Sequence, residues 1–496
     1  MNQLTKLTLE NVEEEYRQAL LRPQTLKAGK ESEYPLVSTS EERFGECILP
    51  SEVERLFELL AKELSGTLSY DDMTHKIIGL RADILNPKEP DHTDPVAIMT
   101  DFGIGTLEIA FPPQESIATI AQQADRLLSK IVGVADDLRI AVLGYGIQPL
   151  SPPTWRLVAP KGRYRSLESR FSTHNHLFGR NSDVHFHTIN AAEQIHVGVP
   201  REQEGMAGVH FLNAMNTISP LLNALFANSR VWKGEVDLTY IEPREVFWDW
   251  VVNIPQDQTR KGILPRTKSI EAYVQRLLDH EPILTVREVD GGVMRFCEFM
   301  GVPTFRDYLM KGEAKVIVPG TKSEPRLIDL QDGGTLGRVS PTLLDLFVHE
   351  SFAWYQARFK AMYGTVEVRC AGQQHPDERF SVLALVYGLR LNHQNVSEYV
   401  QKTMPRRVSS DRTEFLRCGL DYNRPHMNNT LVIVRELLDL AKDGLSHNHE
   451  DTVLLDPLYQ RIQGTLSDRA EDVFKSQRIR GMVETFKYHQ SHLELS

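Results

Sequence analysis

Three strand-like stretches of this sequence carry charged side chains at a two-residue spacing. In Tyr363-Gly364-Thr365-Val366-Glu367-Val368-Arg369, alternation puts Thr365, Glu367 and Arg369 on one face and Val366 and Val368 on the other. Gly29-Lys30-Glu31-Ser32-Glu33-Tyr34 and Gly105-Thr106-Leu107-Glu108-Ile109-Ala110-Phe111 repeat the pattern. A carboxylate beside a guanidinium on a buried strand is costly unless both have a task, the plain alternative being a structural ion pair. Several carboxylates projecting from strands toward one face describe a divalent-metal site better than a core. Glu31, Glu33, Glu108 and Glu367 are therefore the candidate metal ligands. Their hard oxygens suit Mg2+, which takes a few carboxylates and bridges them to substrate phosphates. Arg369, on the Glu367 face, has the fork geometry for a transferring phosphate or an acyl phosphate. Phosphoryl transfer needs this combination of metal and cationic clamp on charge spread over phosphate oxygens.

Signatures for other ways of holding phosphate fail. Gly29-Lys30 lacks the upstream glycine of a Walker loop, because position 24 is Gln. Gly103-Ile104-Gly105 places Glu108 where a dinucleotide fingerprint needs its third glycine, and it enters a strand instead of a helix. ATP, if bound, is held through metal on an open sheet. The histidines offer a rival chemistry. His174, His176, His185, His187 and His196 cluster in sequence, and His185-Phe186-His187 is the HxH pair that zinc hydrolases carry on strands. Carboxylates outnumber histidines at the other candidate positions, which favours magnesium. Gln194 and His196 share a strand face and suit a nucleotide or substrate contact, although a core histidine is the bland alternative. Arg163 and Tyr164, in Pro160-Lys161-Gly162-Arg163-Tyr164, and Arg358 are the candidates for an anionic substrate. Trp354 and Tyr355 read as packing residues, and no Ser-His-Asp or Cys-His arrangement stands out.

The elements that must position these groups are legible from periodicity. Residues 1–28 form a helical lead-in, followed by the Glu31 strand ending near Val37. Ser51-Glu52-Val53-Glu54 reads as a capping box ahead of Val53, Leu56, Phe57 and Leu60 at helical spacing. Strands follow at Ile77–Leu85 and Val96–Thr100, then the Glu108 strand, stopped by Pro112 and Pro113. Ile117, Ile120, Ala124, Leu127, Leu128 and Ile131 form one stripe of a long helix. Strands at Ile140–Gly144 and Gln194–Val199 flank an irregular stretch at 150–183, and Gly205–Asn228 is helical with a break expected at Pro220. Residues 230–345 read as loops and connecting helices, Phe352–Phe359 and Thr365–Cys370 as a hairpin. Beyond Asp377 the chain is mostly helical, with a solvated acidic loop at Ser446–Thr452. The clustered hairpins argue for an α+β fold with an antiparallel sheet and helices on one side. The expected division is a lead-in at 1–28, a catalytic domain at 29–390 and a helical segment at 391–496 packed on it.

Composition narrows the setting. A chain of 496 residues can bury a large core, and a net charge of -11 disfavours nucleic acid or anionic membranes as partners. Four cysteines without a CxxC pair indicate neither a disulfide framework nor a thiolate zinc site. The polar, acidic first fifteen residues are unlike a targeting peptide, so the expectation is a cytoplasmic enzyme acting on small molecules, with oligomerisation left open.

Taken together the motifs resemble glutamate–cysteine ligase family 2, the plant and bacterial type, with its broader carboxylate–amine ligases. The matching pieces run in order: Glu31-Ser32-Glu33, Gly105-Thr106-Leu107-Glu108, Gly146-Ile147-Gln148-Pro149, Pro160-Lys161-Gly162-Arg163-Tyr164, Gln194-Ile195-His196-Val197, Ala224-Leu225-Phe226-Ala227-Asn228-Ser229 and Gly364-Thr365-Val366-Glu367-Val368-Arg369. The resemblance implies a glutamine-synthetase-like antiparallel sheet funnel with surrounding helices, holding ATP and Mg2+. It implies that a carboxylate, glutamate's γ-carboxylate in the type enzyme, becomes an acyl phosphate that an amine captures, cysteine by default. By position, Glu31, Glu33, Glu108 and Glu367 would be metal ligands, with Glu367 and Arg369 the catalytic pair. Gln194, His196 and Arg369 would line the nucleotide, and Arg163, Tyr164 and Arg358 would bind the amino-acid substrate. This chain has Tyr355-Gln356-Ala357-Arg358 where many members carry Trp-Asp-x-Arg. A zinc hydrolase or an inactive ligase-like binding subunit are the alternatives.

Overall fold

Strand β1 (Ala28–Ser38) lies at the centre of the fold, paired on both sides. The computed structural model describes residues 5–71, 73–164, 166–168, 184–251, 260–289, 293–317, 336–404, 411–421 and 430–493. Beside β1 stand β2 (Thr67–Tyr70), β3 (Ile77–Asn86), β4 (Glu89–Thr100), β5 (Thr106–Gln114), β6 (Ile140–Val142) and β7 (Ala192–Gly198). Two late strands complete the sheet: β16 (Ala357–Lys360) and β17 (Thr365–Gly372). The described order is β16-β17-β7-β1-β5-β4-β3-β2, every pair antiparallel, with β6 on the end of β1. The fold is α+β, as expected.

Alternation along β1 sends Lys30, Ser32 and Tyr34 to the rear face, where the helices Ile117–Asp137 and Ser381–Leu391 pack. There Lys30 pairs with Glu193, both fully buried, and Ser32 donates to the same carboxylate at 3.0 Å. The helical stripe from Ile117 to Ile131 is wholly buried, since its 3.6-residue repeat matches the sheet surface. The Gly205–Asn228 helix runs unbroken from Met206 to Leu225 through Pro220. Pro220 cannot bond the Asn216 carbonyl, and the Ser219 hydroxyl donates to that carbonyl instead at 2.9 Å.

Several expectations need correction. The early helix starts at Pro50, one residue ahead of the proposed cap, and the Glu52 carboxylate accepts the Leu49 N–H at 2.5 Å. Pro112 and Pro113 do not stop β5, which continues to Gln114. They lie past the last residue paired with β4, at the register shift opposite β1, where a missing N–H leaves no ladder gap. The late hairpin begins at Ala357, because β15 (Trp354–Tyr355) pairs in parallel with β10 (Lys261–Gly262). Residues 230–345 hold a ribbon of β8 (Val231–Trp232) and β9 (Glu235–Val236). They also hold a four-stranded antiparallel sheet of β11 (Leu284–Val289), β12 (Val293–Met300), β13 (Ala314–Ile317) and β14 (Leu336–Val339). The acidic stretch 446–452 is solvated at Ser446, His447, His449 and Glu450, but His449–Thr452 is a helical turn and its Asp451 is buried, accepting the Ser116 hydroxyl and the Ala118 N–H and so capping the helix Ile117–Asp137. No described helix is long and apolar enough to cross a membrane.

Candidate active site

Directly opposed residues of an antiparallel pair share a face, so the register shows which side chains meet. Arg358 faces Glu367, Glu367 faces His196, Glu31 faces Gln194, and Glu33 faces Glu108. Five strands thus bring the candidate residues onto one face, opposite the helices.

Glu367 is the most enclosed member, 1% exposed. Arg358 forks onto it, Nε to Oε2 at 2.5 Å and Nη2 to Oε1 at 3.1 Å, and Arg369 donates Nη1 to Oε1 at 2.5 Å. Burial alone would raise this carboxyl, but Arg358, Arg369 and His196 outweigh it and hold Glu367 well below the usual carboxylate range. Arg358 also donates Nη1 to the carbonyls of Ser351 and Ala353, at 2.8 and 2.7 Å, so its donors are engaged within the protein. Arg369 keeps 16% of its side chain exposed. Its Nη1 reaches Gln194 Oε1 as well, and Gln194 Nε2 donates to Glu33 Oε1 at 2.6 Å, linking Arg369 to β1. His196 lies with Nε2 3.3 Å from Glu31 Oε1 and 4.0 Å from Glu367 Oε1, and Nδ1 3.2 Å from the Thr365 hydroxyl. Burial pushes Glu31 up, yet the His196 ring beside it prevails and Glu31 sits below its ordinary value.

The opposed Glu33 and Glu108 behave in the opposite way. Burial, then Asp101 and Glu108, drive Glu33 well above the carboxylate range; burial and Asp101 push Glu108 up to about 8. Like charges opposed across strands are unfavourable in the absence of a cation between them. The turn from β4 to β5 supplies Asp101, and it packs so closely that a Cβ on Gly103 would fall 2.1 Å from the Thr188 carbonyl oxygen. The 161–164 segment is pinned to the same turn. Lys161 donates Nζ to the Thr100 carbonyl, Tyr164 its hydroxyl to Asp101 at 3.3 Å, and Arg163 Nη2 to the Tyr164 hydroxyl at 2.7 Å. Burial and Arg163 bring Lys161 down to about 7. Arg163 and Tyr164 are thus beside Glu108, as the sequence order alone could not establish.

The donor set is hard carboxylate oxygen, which fits Mg2+. Among the described residues no three His, Cys, Asp or Glu side chains converge on one point. The HxH pair lies on the 3-10 turn Val184–Ile189 and not on a strand, so its rings diverge. His185 meets Glu168 at 2.5 Å, while His187 packs on Phe102 and Trp248. His174 and His176 lie outside the described residues. Four residues stood outside the candidates drawn from the sequence: Asp101, Lys161, Lys360, whose charge helps lower Glu31 and Glu367, and Arg244, whose charge counters the rise of Glu33. An acid in the turn leading to the Glu108 strand was a usable signal for the first; Arg244, which opens no motif, gave none. A cavity of about 670 Å3 between the helices Met206–Leu225 and His393–Thr403 is lined by none of the candidate residues.

The profile of glutamate–cysteine ligase family 2 matches residues 61–483. The chain belongs to glutamate–cysteine ligase family 2. The family match starts downstream of β1, so Glu31 and Glu33 enter the site from outside it. Among relatives, the chloroplastic glutamate–cysteine ligase of Nicotiana tabacum is 27% identical over 207 residues, 40% of this chain and 36% of that protein. That of Medicago truncatula is 24% identical over 282 residues, 55% and 49%. A putative glutamate–cysteine ligase 2 of Clavibacter sepedonicus is 26% identical over 161 residues, 32% and 38%. The chain therefore spans between a third and a half of these family members' lengths. In fold it is similar to the glutamate–cysteine ligase of Francisella tularensis solved in complex with AMP, with a TM-score of 0.53 at 12% identity over 96% of this chain and 90% of that one.

Proposed function

We propose that this protein is an ATP- and Mg2+-dependent carboxylate–amine ligase that activates the γ-carboxylate of glutamate and joins it to an amine. The observation that carries the reading is the pairing of an ionised Glu367, clamped by Arg358 and Arg369, with the opposed Glu33 and Glu108 on one sheet face. Two regions of opposite need sit side by side: opposed carboxylates whose acidity burial and like charge have weakened, and a guanidinium with an open edge. A phosphorylated substrate with its metal answers both. Family membership and the AMP found in the Francisella neighbour support a nucleotide in this fold.

In this reading Glu31, Glu33, Glu108 and Glu367 hold Mg2+, whose chemistry is to neutralise charge on the phosphate oxygens. A γ-carboxylate oxygen attacks the γ-phosphorus of ATP, the bond to the β-bridging oxygen breaks, and ADP leaves. Arg369 orients the transferring group through its exposed edge while Glu367 and Gln194 fix its plane. The amine nitrogen then attacks the acyl carbon, the C–O bond to phosphate breaks, and inorganic phosphate departs as the nitrogen loses a proton. Gln194 and His196 line the nucleotide side; Arg163 and Tyr164, beside Asp101 and Glu108, bind the amino-acid donor. Arg358, with its donors engaged, serves to position Glu367. Cysteine is the default acceptor.

Glu367→Gln tests the reading, because it preserves size and removes the charge. ADP formation in the presence of glutamate, Mg2+ and an amine pool should fall by at least about 100-fold with the fold retained by circular dichroism. Full activity in that variant sinks the assignment.

A further inference from the structure

The cavity of about 670 Å3 between the helices Met206–Leu225 and His393–Thr403 lies apart from the sheet face that carries the site. Asn216, on another face of the first helix, donates to the Ala357 carbonyl of β16 at 2.9 Å, so that helix stands between the cavity and the sheet. At one end the two helices meet where His393 Nε2 comes 3.7 Å from Glu202 Oε1. Beyond that contact Ala207, Ala214 and Ser397 are too short to fill the space between them. The far wall, residues 263–266, is held in place by Asn213, whose side chain bonds the Thr267 carbonyl and N–H at 2.9 Å each. Close-packed proteins leave few voids larger than a water molecule, so a hollow of this size between two ordered helices is not a remnant of packing. Its volume is that of a ligand pocket.

The lining decides what fits. Ala207, Ala214, Leu264, Val400 and Met404 are buried and give an apolar floor. Around it His210, Arg266, Gln394, Ser397, Glu398 and Gln401 make no side-chain hydrogen bond or ion pair with any described residue. The Ser397 hydroxyl oxygen is sealed from solvent and still has no partner, a condition that a ligand polar group would relieve. Arg266 and Glu398 do not pair with each other, so one free cation and one free anion stand apart on the same wall. A polyphosphate would meet the acids Glu202 and Glu398, a polyamine would meet Arg266, and an apolar group would strand the Ser397 hydroxyl. A molecule carrying both a carboxylate and an ammonium answers both charges. The amides of Gln394 and Gln401 each offer a donor and an acceptor, the pair that a peptide group needs. At about 30 Å3 per water-sized unit, the hollow has room for on the order of twenty non-hydrogen atoms, the size of a tripeptide.

We propose that this cavity is a second ligand site, separate from the sheet face, taking a short peptide of two or three residues with its free carboxylate on Arg266 and its free ammonium on Glu398. The experiment gives the full chain trialanine, N-acetyl-trialanine or trialanine amide, three peptides of one shape that differ in their terminal charges. Hydrogen–deuterium exchange locates the binding and calorimetry measures its strength. Expected is slowed exchange in residues 206–217 and 393–404 with trialanine. Each capped peptide should bind at least about tenfold more weakly, as should trialanine to Arg266→Gln and to Glu398→Gln. Both of these side chains are exposed, so neither substitution disturbs the fold. Equal binding of the three peptides, or unchanged binding to both variants, overturns the proposal. Slowing confined to Ala192–Gly198 and Thr365–Gly372 overturns it by placing the peptide at the candidate active site. Neither slowing nor heat at about 10 mM trialanine overturns it outright. None of these readouts uses ADP formation, so the ligase reading stands or falls separately.

Discussion

Replacing Glu108 by Gln isolates the electrostatic tension at the centre of the site. Glu108 titrates near 8 in the folded protein against 4.5 as an ordinary carboxyl, driven by burial and then by Asp101. Raising the folded value favours the protonated fold. The stabilisation is complete below about pH 4.5 and is lost as pH climbs through about 8. The full difference is worth up to about 5 kcal/mol at ~1.4 kcal/mol per pH unit. Because Glu108 is only half-buried and shares its field with Lys161 and Arg163, roughly 2 to 3 kcal/mol is the realistic size. Glu108→Gln removes the ionisation and keeps the volume. Urea unfolding in metal-free buffer should therefore show wild type losing stability relative to the variant between pH 5 and 8.5. At pH 8.5 the variant should be the more stable, and added Mg2+ should close the gap by stabilising wild type alone. Parallel stability curves across that range, with no differential Mg2+ effect, would refute the electrostatic account of the Glu33–Glu108 pair.

Other consequences follow from the same contacts. Arg358→Met strands the buried Glu367 carboxylate with one partner fewer; a loss of about 3–5 kcal/mol by urea titration is expected, together with ligase activity. On the rear face, Lys30→Met and Glu193→Leu should each cost about 3–5 kcal/mol, while the double variant recovers most of it, read as a double-mutant cycle. Asp451→Ala removes the cap of the helix Ile117–Asp137 and should cost about 1 kcal/mol with kcat unchanged, which distinguishes it from the site variants.

Strand periodicity carried most of what was legible. Alternation in the Glu31, Glu108, Gln194 and Glu367 stretches gave four of the five strands that hold the site, and on the last three of these the polar face emerged because the intervening Ile, Leu and Val had to be buried. Pairing across long separations was not legible: nothing local states that Glu33 opposes Glu108 or that Arg358 opposes Glu367. The partners that set the site's charge balance were hidden for the same reason. Asp101 acts through a turn packed against Thr188, and Lys161 through a buried amine held on a backbone carbonyl. Asp451 failed differently. An acidic run looks solvated until a helix more than three hundred residues earlier offers it two donors.

The central position of β1 also governs how the sheet can be divided. It is the seam between β5 and β7, so the strands before it in the order and those after it touch only through it. A chain trimmed to the family-matched residues 61–483 would lose that seam together with Glu31 and Glu33. What remained would be two half-sheets, each with a bare inner edge lined by Ile, Leu and Val, the kind of edge that recruits other strands into aggregates. The strand that carries two of the proposed metal ligands is thus also what keeps the halves of the molecule from pairing with strangers.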